Sequence, residues 1–404
     1  MRIVHLVSSG QLGGTEASVI EMTGSVARAE PAWRVSVTTA EHGPFEQRLR
    51  EEGIAVDVRP FPDRFAQIGE AGRVGAGAAG LVLELVAALP GVERYRRGLR
   101  AALLHDGVEG PPDIVHAHGF KMQVLGALSL PPRARLVWHL HDYVSGRPIS
   151  GRLLRRLSPR VALMIANSAS VAADVRRVCG TRVPIVTIYN AVDTARFAPE
   201  GNCLDLDACA GLQPAPPGTL RIGLIGTFAK WKGHTTFLAA IAKLPFDRPV
   251  RAYIIGGAQY RTAGSQHSEA ALRSEALRLG ISDRVAFTGP VTDPAAAIRA
   301  LDVVVHASTQ PEPFGMVIAE AMACARPVVI SRAGGAAELV ADGVDGLSHA
   351  PGDAGGLSAC LARLVSDSDL RRRLGAAARA TACRRFDRRR LAGELIPLYT
   401  GLEG

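Results

Sequence analysis

Two acidic side chains, Glu312 and Glu320, flank the short sequence Pro313-Phe314-Gly315. Carboxylates accept hydrogen bonds from hydroxyl groups, and a sugar and a ribose both present such groups. The pair therefore suggests a ligand that carries two hydroxyl-bearing rings. Two solvated acids, one in a loop and one on a helix, are the ordinary alternative reading of the same residues.

The elements that must hold these acids are a strand and the helix that follows it. The apolar run 301–306 predicts a buried parallel strand, two prolines stiffen the turn after it, and a helix begins near Phe314. The N–H groups of Gly315, Met316 and Val317 would point out of the helix start, where the backbone dipoles favour an anion. A diphosphate between the two rings fits that position, so the stretch predicts a nucleotide-sugar site.

Two of the four lysines in the chain, Lys230 and Lys232, stand at the start of another predicted helix with one residue between them. They follow the apolar run 220–226, which ends in glycine. In a chain that otherwise uses arginine, compact ammonium charges at this place suggest phosphate binding. Ordinary surface lysines are the alternative.

Histidines recur in two His-x-His pairs, His116-Ala117-His118 and His139-Leu140-His141, each at the carboxyl end of an apolar strand. Period-2 geometry puts both members of a pair on one face, an arrangement that can bind a metal ion. The same pattern arises when the last residue of a strand reaches a ligand crevice. Beyond Asp142, no carboxylate that would complete a metal site is evident, so we predict no metal.

Two further motifs are formal matches that we do not expect to bind ligands. The string 75–80 fits G-x-G-x-x-G, but no strand-like run precedes it, so a dinucleotide site is not predicted. The sequence Asp205-Leu206-Asp207 fits D-x-D, but it lies in a stretch without periodicity rather than at a strand end.

Length and composition indicate the domain organisation. The chain has 404 residues and is 47% hydrophobic, which is enough for two domains with separate cores. Residues 200–218 are rich in Gly, Pro and Asp and predict a linker between domains over 1–199 and 219–387.

Alternating strand-like and helix-like runs indicate the α/β class with parallel sheets. Strands are predicted over 3–8, 34–39, 56–59, 114–118, 136–141, 161–166, 185–189, 220–226, 252–256, 285–288, 303–306 and 328–331.

Charge and cysteine content narrow the classes of partner. The formal charge of +9 comes mainly from arginine, and its runs are expected to be solvated helix faces, with an anionic membrane surface as the alternative. Little aromatic interleaving and no nucleic-acid motif are present, so nucleic acid is not predicted as a partner. The six cysteines show neither a paired framework nor a metal spacing, which predicts reduced cytosolic thiols.

Targeting signals are not evident either. The chain runs from Met1-Arg2 directly into a strand, and its most apolar helix-like stretch, 78–89, falls short of a membrane span. We expect a cytoplasmic location, with peripheral contact at the inner face of a membrane as an option.

With its Glu-x7-Glu spacing and Pro-Phe-Gly core, the stretch 312–320 resembles the donor motif of retaining GT-B glycosyltransferases of the glycosyl transferases group 1 type. This group includes glycogen-synthase-like and mannosyltransferase-like enzymes. The resemblance implies that Glu312 touches the transferred sugar and that Glu320 binds the ribose. The backbone from Phe314 to Val317 would bind the diphosphate.

Landmarks of the same family are found in the first half of the chain. Gly13-Gly14-Thr15-Glu16 resembles a loop in which Gly14 faces the donor phosphates and Gly13 the acceptor. The strand 113–118 resembles one that ends in a cleft histidine near the reacting carbon, which maps to His118. His141-Asp142-Tyr143 resembles a motif of the acceptor side, which implies acceptor contacts for His141 and Asp142.

The second half resembles the family most closely. The loop 287–291 resembles the one beside the base, with Pro290 and Val291 nearest to it. Lys232 matches a Lys-Gly pair of the family, whereas Thr227 departs from its usual Gly-Arg, so that Lys230 would replace the missing arginine. Thr227, Lys230 and Lys232 are therefore expected beside the donor.

The resemblance implies a GT-B fold, with two Rossmann-like, doubly wound parallel-sheet domains facing a cleft and a last helix, 388–404, that returns to the first domain. It implies a hexosyltransferase-type enzyme that moves a sugar from a UDP, GDP or ADP donor to an acceptor hydroxyl with retention of configuration, using no metal and no cofactor. The acceptor would be a glycan, a lipid-linked sugar or a small molecule, in polysaccharide or glycan biosynthesis. The catalytic roles fall to His118, Glu312 and Lys232. A nucleotide-sugar epimerase of the same fold and a non-catalytic nucleotide-sugar binder are the alternatives.

Overall fold

The computed structural model describes residues 1–67, 78–104, 110–244, 248–258 and 265–402. The chain divides into two compact units. Unit 1 comprises Met1–Ala191 and Arg388–Gly404, and unit 2 comprises Val192–Asp387.

Strands and helices alternate along both units, because a parallel strand can join its neighbour only through a crossover connection. The strands are β1 (Arg2–Val7), β2 (Arg34–Thr39), β3 (Ala55–Val58), β4 (Ile114–His118), β5 (Arg135–Leu140), β6 (Leu163–Ala166), β7 (Ile185–Thr187), β8 (Leu220–Ile225), β9 (Val250–Ile255), β10 (Val285–Gly289), β11 (Val303–His306), β12 (Val328–Ser331) and β13 (Leu347–His349).

The α-helices form the connections and the outer layers. They are α1 (Gly14–Ala29), α2 (Pro44–Glu51), α3 (Asp63–Gln67), α4 (Ala78–Leu104), α5 (Phe120–Ser129), α6 (Pro148–Leu157), α7 (Ala169–Cys179), α8 (Leu206–Cys209), α9 (His234–Ala242), α10 (Glu269–Arg278), α11 (Pro294–Arg299), α12 (Met316–Ala323), α13 (Ala354–Ser366), α14 (Ser368–Arg385) and α15 (Arg390–Thr400).

Within the described residues, unit 1 holds a seven-stranded parallel sheet in the order β3-β2-β1-β4-β5-β6-β7. Alternate residues of the central strands enter two separate apolar clusters, with Val115 and Leu136 in one and Ile114 and Val137 in the other. Burial on both faces explains why these strands read as continuous apolar runs. The chain order reverses between β1 and β4, and such a switch point opens a crevice at the carboxyl ends of the strands.

Unit 2 repeats this plan with a six-stranded parallel sheet, counted over its described part, in the order β10-β9-β8-β11-β12-β13. Its core includes Ile222 and Leu224 of β8 and Val303 and Val305 of β11. The order reverses between β8 and β11, which places the second switch point beside the turn that carries Glu312. The predicted α/β class with two Rossmann-like parallel sheets is confirmed.

The stretch 200–218, predicted to be a linker, is instead part of unit 2. It contains α8, and Asp207 in that helix is buried against the sheet. The Asp207 carboxylate accepts hydrogen bonds from Tyr253 Oη at 2.6 Å, from Arg251 at 2.5 Å and from Arg221 at 3.3 Å. These contacts fix the segment to β8 and β9, which a composition rich in Gly, Pro and Asp does not reveal.

The other acid of the D-x-D sequence has a local structural role. Asp205 caps α8 by accepting a hydrogen bond from the Ala208 N–H at 3.0 Å, as acids at helix starts commonly do. Of the G-x-G-x-x-G string, residues 75–77 lie outside the described residues. In the described part of the chain, every helix is too short or too polar to cross a membrane.

Candidate functional site

The turn that follows β11 is built around a glycine. Gly315 has φ of +94° and precedes α12, which begins at Met316, two residues later than Phe314. The positive φ favours glycine, and a Cβ at Gly315 would lie 2.8 Å from Ile318 Cδ1, so a larger residue would be strained and would displace that side chain. Phe314 is buried edge-on against Phe386, with the ring centroids 5.8 Å apart, and this contact anchors the turn.

The start of α12 presents backbone donors. The Ile318 N–H donates to Gly315 O at 3.0 Å, whereas the N–H groups of Met316 and Val317 have no acceptor among the described residues. Both residues are half-buried. Unpaired N–H groups at a helix start attract an anion through their own dipoles and through the helix dipole.

Glu312 is the most heavily bonded acid of the candidate site, with 7% of its surface exposed. Both of its carboxylate oxygens lie 2.9 Å from Lys232 Nζ. Ser308 Oγ donates to Oε2 at 2.9 Å, and His306 Nε2 lies 3.2 Å from the same oxygen. The structure thus brings together two of the predicted residues, Glu312 and Lys232, and adds two that sequence reasoning missed.

The protonation state of Glu312 follows from these neighbours. Burial alone would raise the pKa of the carboxyl, but the Lys232 ammonium and the hydrogen bond from His306 lower it by more, so the pKa lies well below its usual range. The acid is therefore ionised at neutral pH. His306 and Ser308 are the two residues that sequence reasoning missed. His306 could have been inferred as a site residue because it is the last residue of a strand. Ser308 lies two residues further on, where the alternation of an extended chain puts its side chain on the same face.

Lys232 is held by the turn between β8 and α9. Its Nζ lies 4.2 Å from the centre of the Trp231 ring, and Thr309 N–H donates to Trp231 O at 2.7 Å, which ties this turn to the end of β11. The side chain of Lys230 is exposed, while its N–H donates to Ser265 O at 3.0 Å. The two lysines therefore differ: Lys232 is bound to Glu312, and Lys230 faces solvent.

The remaining predicted donor residues lie at the same edge of the unit 2 sheet. Thr227 follows β8 and is half-buried, with a hydroxyl that has no hydrogen-bond partner in the described part of the chain. Pro290 is exposed and Val291 half-buried just after β10. Glu320 is half-buried on α12, about one turn inside the helix.

In unit 1, the glycine loop lies at the start of α1. Gly13 is the residue before the helix and Gly14 its first residue, and both are exposed. Glu16, in the first turn, is 8% exposed, and burial raises the pKa of its carboxyl to about 7. Asp142 is half-buried and paired with Arg147 at 2.5 Å.

His118 is enclosed rather than presented to an open surface. It is fully buried, its Nε2 lies 3.0 Å from His5 Nδ1, and its Nδ1 lies 3.0 Å from His141 Nε2. Its contact with a sugar stays a prediction, and the ring would have to leave its histidine partners to make it. Sequence reasoning missed His5 because a single histidine in an apolar strand gives no signal until β1 is known to lie beside β4.

Two families match the chain in succession. Residues 12–196 match Glycosyltransferase Family 4, and residues 213–381 match Glycosyl transferases group 1. Together these matches reach from the first glycine loop to the last third of α14.

Two curated relatives are named for lipopolysaccharide core biosynthesis. Lipopolysaccharide core biosynthesis mannosyltransferase LpsB of Rhizobium meliloti (strain 1021) is 30% identical over 260 residues, which are 60% of this chain and 71% of LpsB. Lipopolysaccharide core biosynthesis glycosyltransferase LpsE of the same organism is 33% identical over 174 residues, which are 43% of this chain and 48% of LpsE. The match thus spans about half the length of LpsE.

A solved structure supports the same relationship over the full length. Anabaena HepE, crystallised with UDP and glucose, has a TM-score of 0.78 and 27% sequence identity to this chain, and the match covers 99% of this chain and 100% of HepE.

Proposed function

This chain belongs to the glycosyl transferases group 1 family, and from that premise we propose that it moves a sugar from a nucleotide-diphosphate donor to an acceptor hydroxyl, with retention of configuration and without a metal ion at the diphosphate. The observation that carries the proposal is the ion pair between Lys232 and Glu312. Glu312 lies three residues before Gly315, which directly precedes α12. It places a cation, an ionised acid and backbone donors around one turn.

The leaving diphosphate gathers negative charge as its bond to the sugar breaks, so the site must present donors to it. The N–H groups of Met316 and Val317 and the ammonium groups of Lys230 and Lys232 are suited to that task. In a site closed to bulk water, each preorganised donor contributes about 3 kcal/mol. This set supports a transfer in which protein groups alone neutralise the leaving group.

Glu312 is suited to orient the sugar. It accepts hydrogen bonds from Lys232 and Ser308, and an ionised carboxylate of this kind is an acceptor for sugar hydroxyls. Retention then requires no carboxylate nucleophile: the acceptor oxygen attacks on the face that the phosphate leaves, and the leaving phosphate oxygen takes the acceptor's proton. Glu320 would bind the ribose, and the loop at Pro290 and Val291 the base.

On the acceptor side we infer a glycan, a lipid-linked sugar or a small molecule, of which the first two are favoured because LpsB is named for lipopolysaccharide core synthesis. The candidate contacts are Gly13, His141 and Asp142. Transfer of a hexose, a cytoplasmic location and peripheral contact with an anionic membrane stay predictions.

Donor binding is the first test. The purified chain is mixed with UDP-glucose, GDP-mannose or ADP-glucose, and its Tm is measured, since a ligand at 100 times its Kd stabilises the folded state by about 2.7 kcal/mol. We expect one nucleotide class to raise the Tm and the rise to be lost in Glu320→Ala. No response to any donor would overturn the proposal.

Turnover is tested with the donor that binds. Transfer to an acceptor glycan should continue in EDTA, and the anomeric configuration of the product should match that of the donor. Formation of an isomer from the donor alone would assign the chain to the epimerases instead, and binding without turnover would make it a non-catalytic binder.

A further inference from the structure

Five histidines lie together on one side of the unit 1 sheet. His5 of β1 is beside His116 of β4 in the strand register, and His118 is beside His139 of β5, with His141 just beyond the end of that strand. All are buried except His141, which is half-buried. The rings stack closely, with centroids 4.4 Å apart for His116 and His118 and 4.2 Å apart for His139 and His141. Of these five histidines, only His118 and His141 have an expected part in sugar transfer.

The cluster contains buried ring nitrogens without hydrogen-bond partners among the described residues: Nε2 of His116, both nitrogens of His139 and Nδ1 of His141. A polar nitrogen that is buried without a partner is unfavourable, and of these atoms Nε2 of His116 belongs to the trio proposed below. An imidazole with its ordinary pKa is mostly neutral at pH 7, and the neutral ring is the form that binds a metal ion.

We propose that His5, His116 and His118 form a binding site for one late first-row divalent metal ion, of which Zn²⁺ is the representative. Their ligand atoms all lie within 4.8 Å of one another. His5 Nδ1 and His118 Nε2 lie 3.0 Å apart, close to the roughly 3.3 Å between two nitrogens of a tetrahedral zinc site. An ion bound there would replace the hydrogen bond between these two nitrogens.

The hydrogen-bond partners of the ring nitrogens that would not bind the ion favour His5, His116 and His118 as the ligands. His116 Nδ1 lies 2.8 Å from the hydroxyl oxygen of Tyr399, and His118 Nδ1 lies 3.0 Å from His141 Nε2. Such partners fix the tautomer and orientation of metal-binding histidines, and here they leave Nε2 of both rings as the ligand atom. The other close trio, His118 with His139 and His141, lacks this support, because neither nitrogen of His139 has a partner in the described part of the chain.

The donor set defines the class of ion. Neither close trio includes a carboxylate, and imidazole nitrogens suit Zn²⁺, Ni²⁺ or Cu²⁺, whereas Mg²⁺ and Ca²⁺ require oxygen ligands. The ion would link β1 to β4 across the middle of the unit 1 sheet. Its role is to stabilise unit 1, which goes beyond the proposed transfer. An ion bound to His118 would exclude the sugar contact predicted for that ring, whereas the rest of the proposed transfer does not depend on the metal site.

Metal content tests the site directly. The full chain is expressed with Zn²⁺ in the medium, purified without chelator and analysed by plasma mass spectrometry, and we expect about one zinc ion per chain. His5→Asn and His116→Asn should lose it. His42→Asn, at an exposed histidine outside the cluster, and His139→Asn should retain it. Near-UV circular dichroism of each variant establishes that it is folded.

Two measurements do not depend on replacing a buried histidine. Zinc added to the chelator-treated wild type should raise its Tm, and Tyr399→Phe, which removes the partner of His116, should weaken zinc affinity about 10- to 100-fold in competition with a chelating dye. A wild type without zinc and without a Tm response would overturn the site. Zinc retained by His116→Asn, or lost from His139→Asn but kept by His5→Asn, would overturn this trio.

Discussion

At the residue scale, the charge of Glu312 can be separated from its shape. Glu312→Gln keeps the volume of the side chain but removes the negative charge that pairs with the Lys232 ammonium. We expect it to lower kcat about 10²- to 10³-fold, because the contact is proposed to orient the sugar as the bond breaks, and to change the donor KM little. Steady-state kinetics with the donor identified by thermal shift provide the measurement.

The matched change is Glu320→Gln, on the same helix. A hydrogen bond from a ribose hydroxyl to a charged carboxylate contributes about 1.5–3 kcal/mol, so the donor KM should rise about 10- to 100-fold while kcat is kept. If both variants retain full activity, the assignment of this motif is wrong.

Removing the cation tests the other half of the pair. Lys232→Met leaves the buried, ionised Glu312 without its counter-charge, and breaking a buried pair in this way costs about 3 kcal/mol. We therefore expect a lower Tm together with weaker donor binding. Lys230→Met should weaken donor binding without lowering the Tm, since this side chain is exposed, and Lys243→Met, another exposed lysine, should change neither. A normal Tm for Lys232→Met would mean that the pair does not stabilise the fold.

At the scale of elements, the turn between β8 and α9 depends on a contact that only glycine permits. Gly233 has φ of +75°, and a Cβ there would lie 1.8 Å from the carbonyl oxygen of Ala307. Because Ala307 directly follows β11, this close approach seats the Lys232 turn against the strand that leads to Glu312. Gly233→Ala should therefore displace the turn, lower the Tm and weaken donor binding.

Gly280→Ala is the control for backbone strain alone. Gly280 has φ of +70°, but nothing lies within 4 Å of its added Cβ, so the substitution should cost about 1 kcal/mol. Gly233→Ala should lower the Tm at least twice as much, as measured by circular dichroism. Equal losses in the two variants would show that the Lys232 turn shifts freely.

The same elements show what the sequence can predict. Apolar runs predict β4, β11 and β12 to the residue, because strands buried on both faces must be apolar throughout. The edge strand β13 is missed: it has three residues, one of them Ser348, and follows Asp345 and Gly346, so no apolar run marks it.

The site is predicted in part for a similar reason. Local sequence places the glycine at the start of α12, since a backbone with positive φ requires it. The pairing of Lys232 with Glu312 joins residues 80 positions apart, and only the order of β8 and β11 in the sheet brings them together. The histidine cluster depends in the same way on β1 lying between β2 and β4.

At the scale of the whole molecule, the burial of side chains shows whether a stretch is a linker or part of a domain, which its composition does not show. The stretch 200–218 has the composition of a linker, yet Leu206 and Asp207 are both buried in unit 2. Tyr253, Arg251 and Arg221 supply donors to the Asp207 carboxylate, and they hold its pKa below its usual range against the opposing effect of burial. A segment without periodicity is thus held by one acid whose partners lie on two strands.

The stability of the molecule should vary with pH through Glu16. Burial raises the pKa of this carboxyl from 4.5 to about 7, against hydrogen bonds from the N–H groups of Glu16 and Gly13 that lower it. Between these values the folded chain holds a proton that the unfolded chain releases. The contribution of Glu16 to the free energy of unfolding is therefore greatest below about pH 4.5 and falls by about 3 kcal/mol as the pH rises to about 7.

Glu16→Gln should remove this dependence, because the amide stays neutral at every pH. Its Tm should equal that of the wild type near about pH 4 and exceed it by several degrees near about pH 7.5, as measured by calorimetry. Glu51→Gln, at an exposed acid of α2, should keep the wild-type slope. If the curves of Glu16→Gln and the wild type run parallel, Glu16 titrates at its ordinary pKa, and the first turn of α1 is more open to water than its burial indicates.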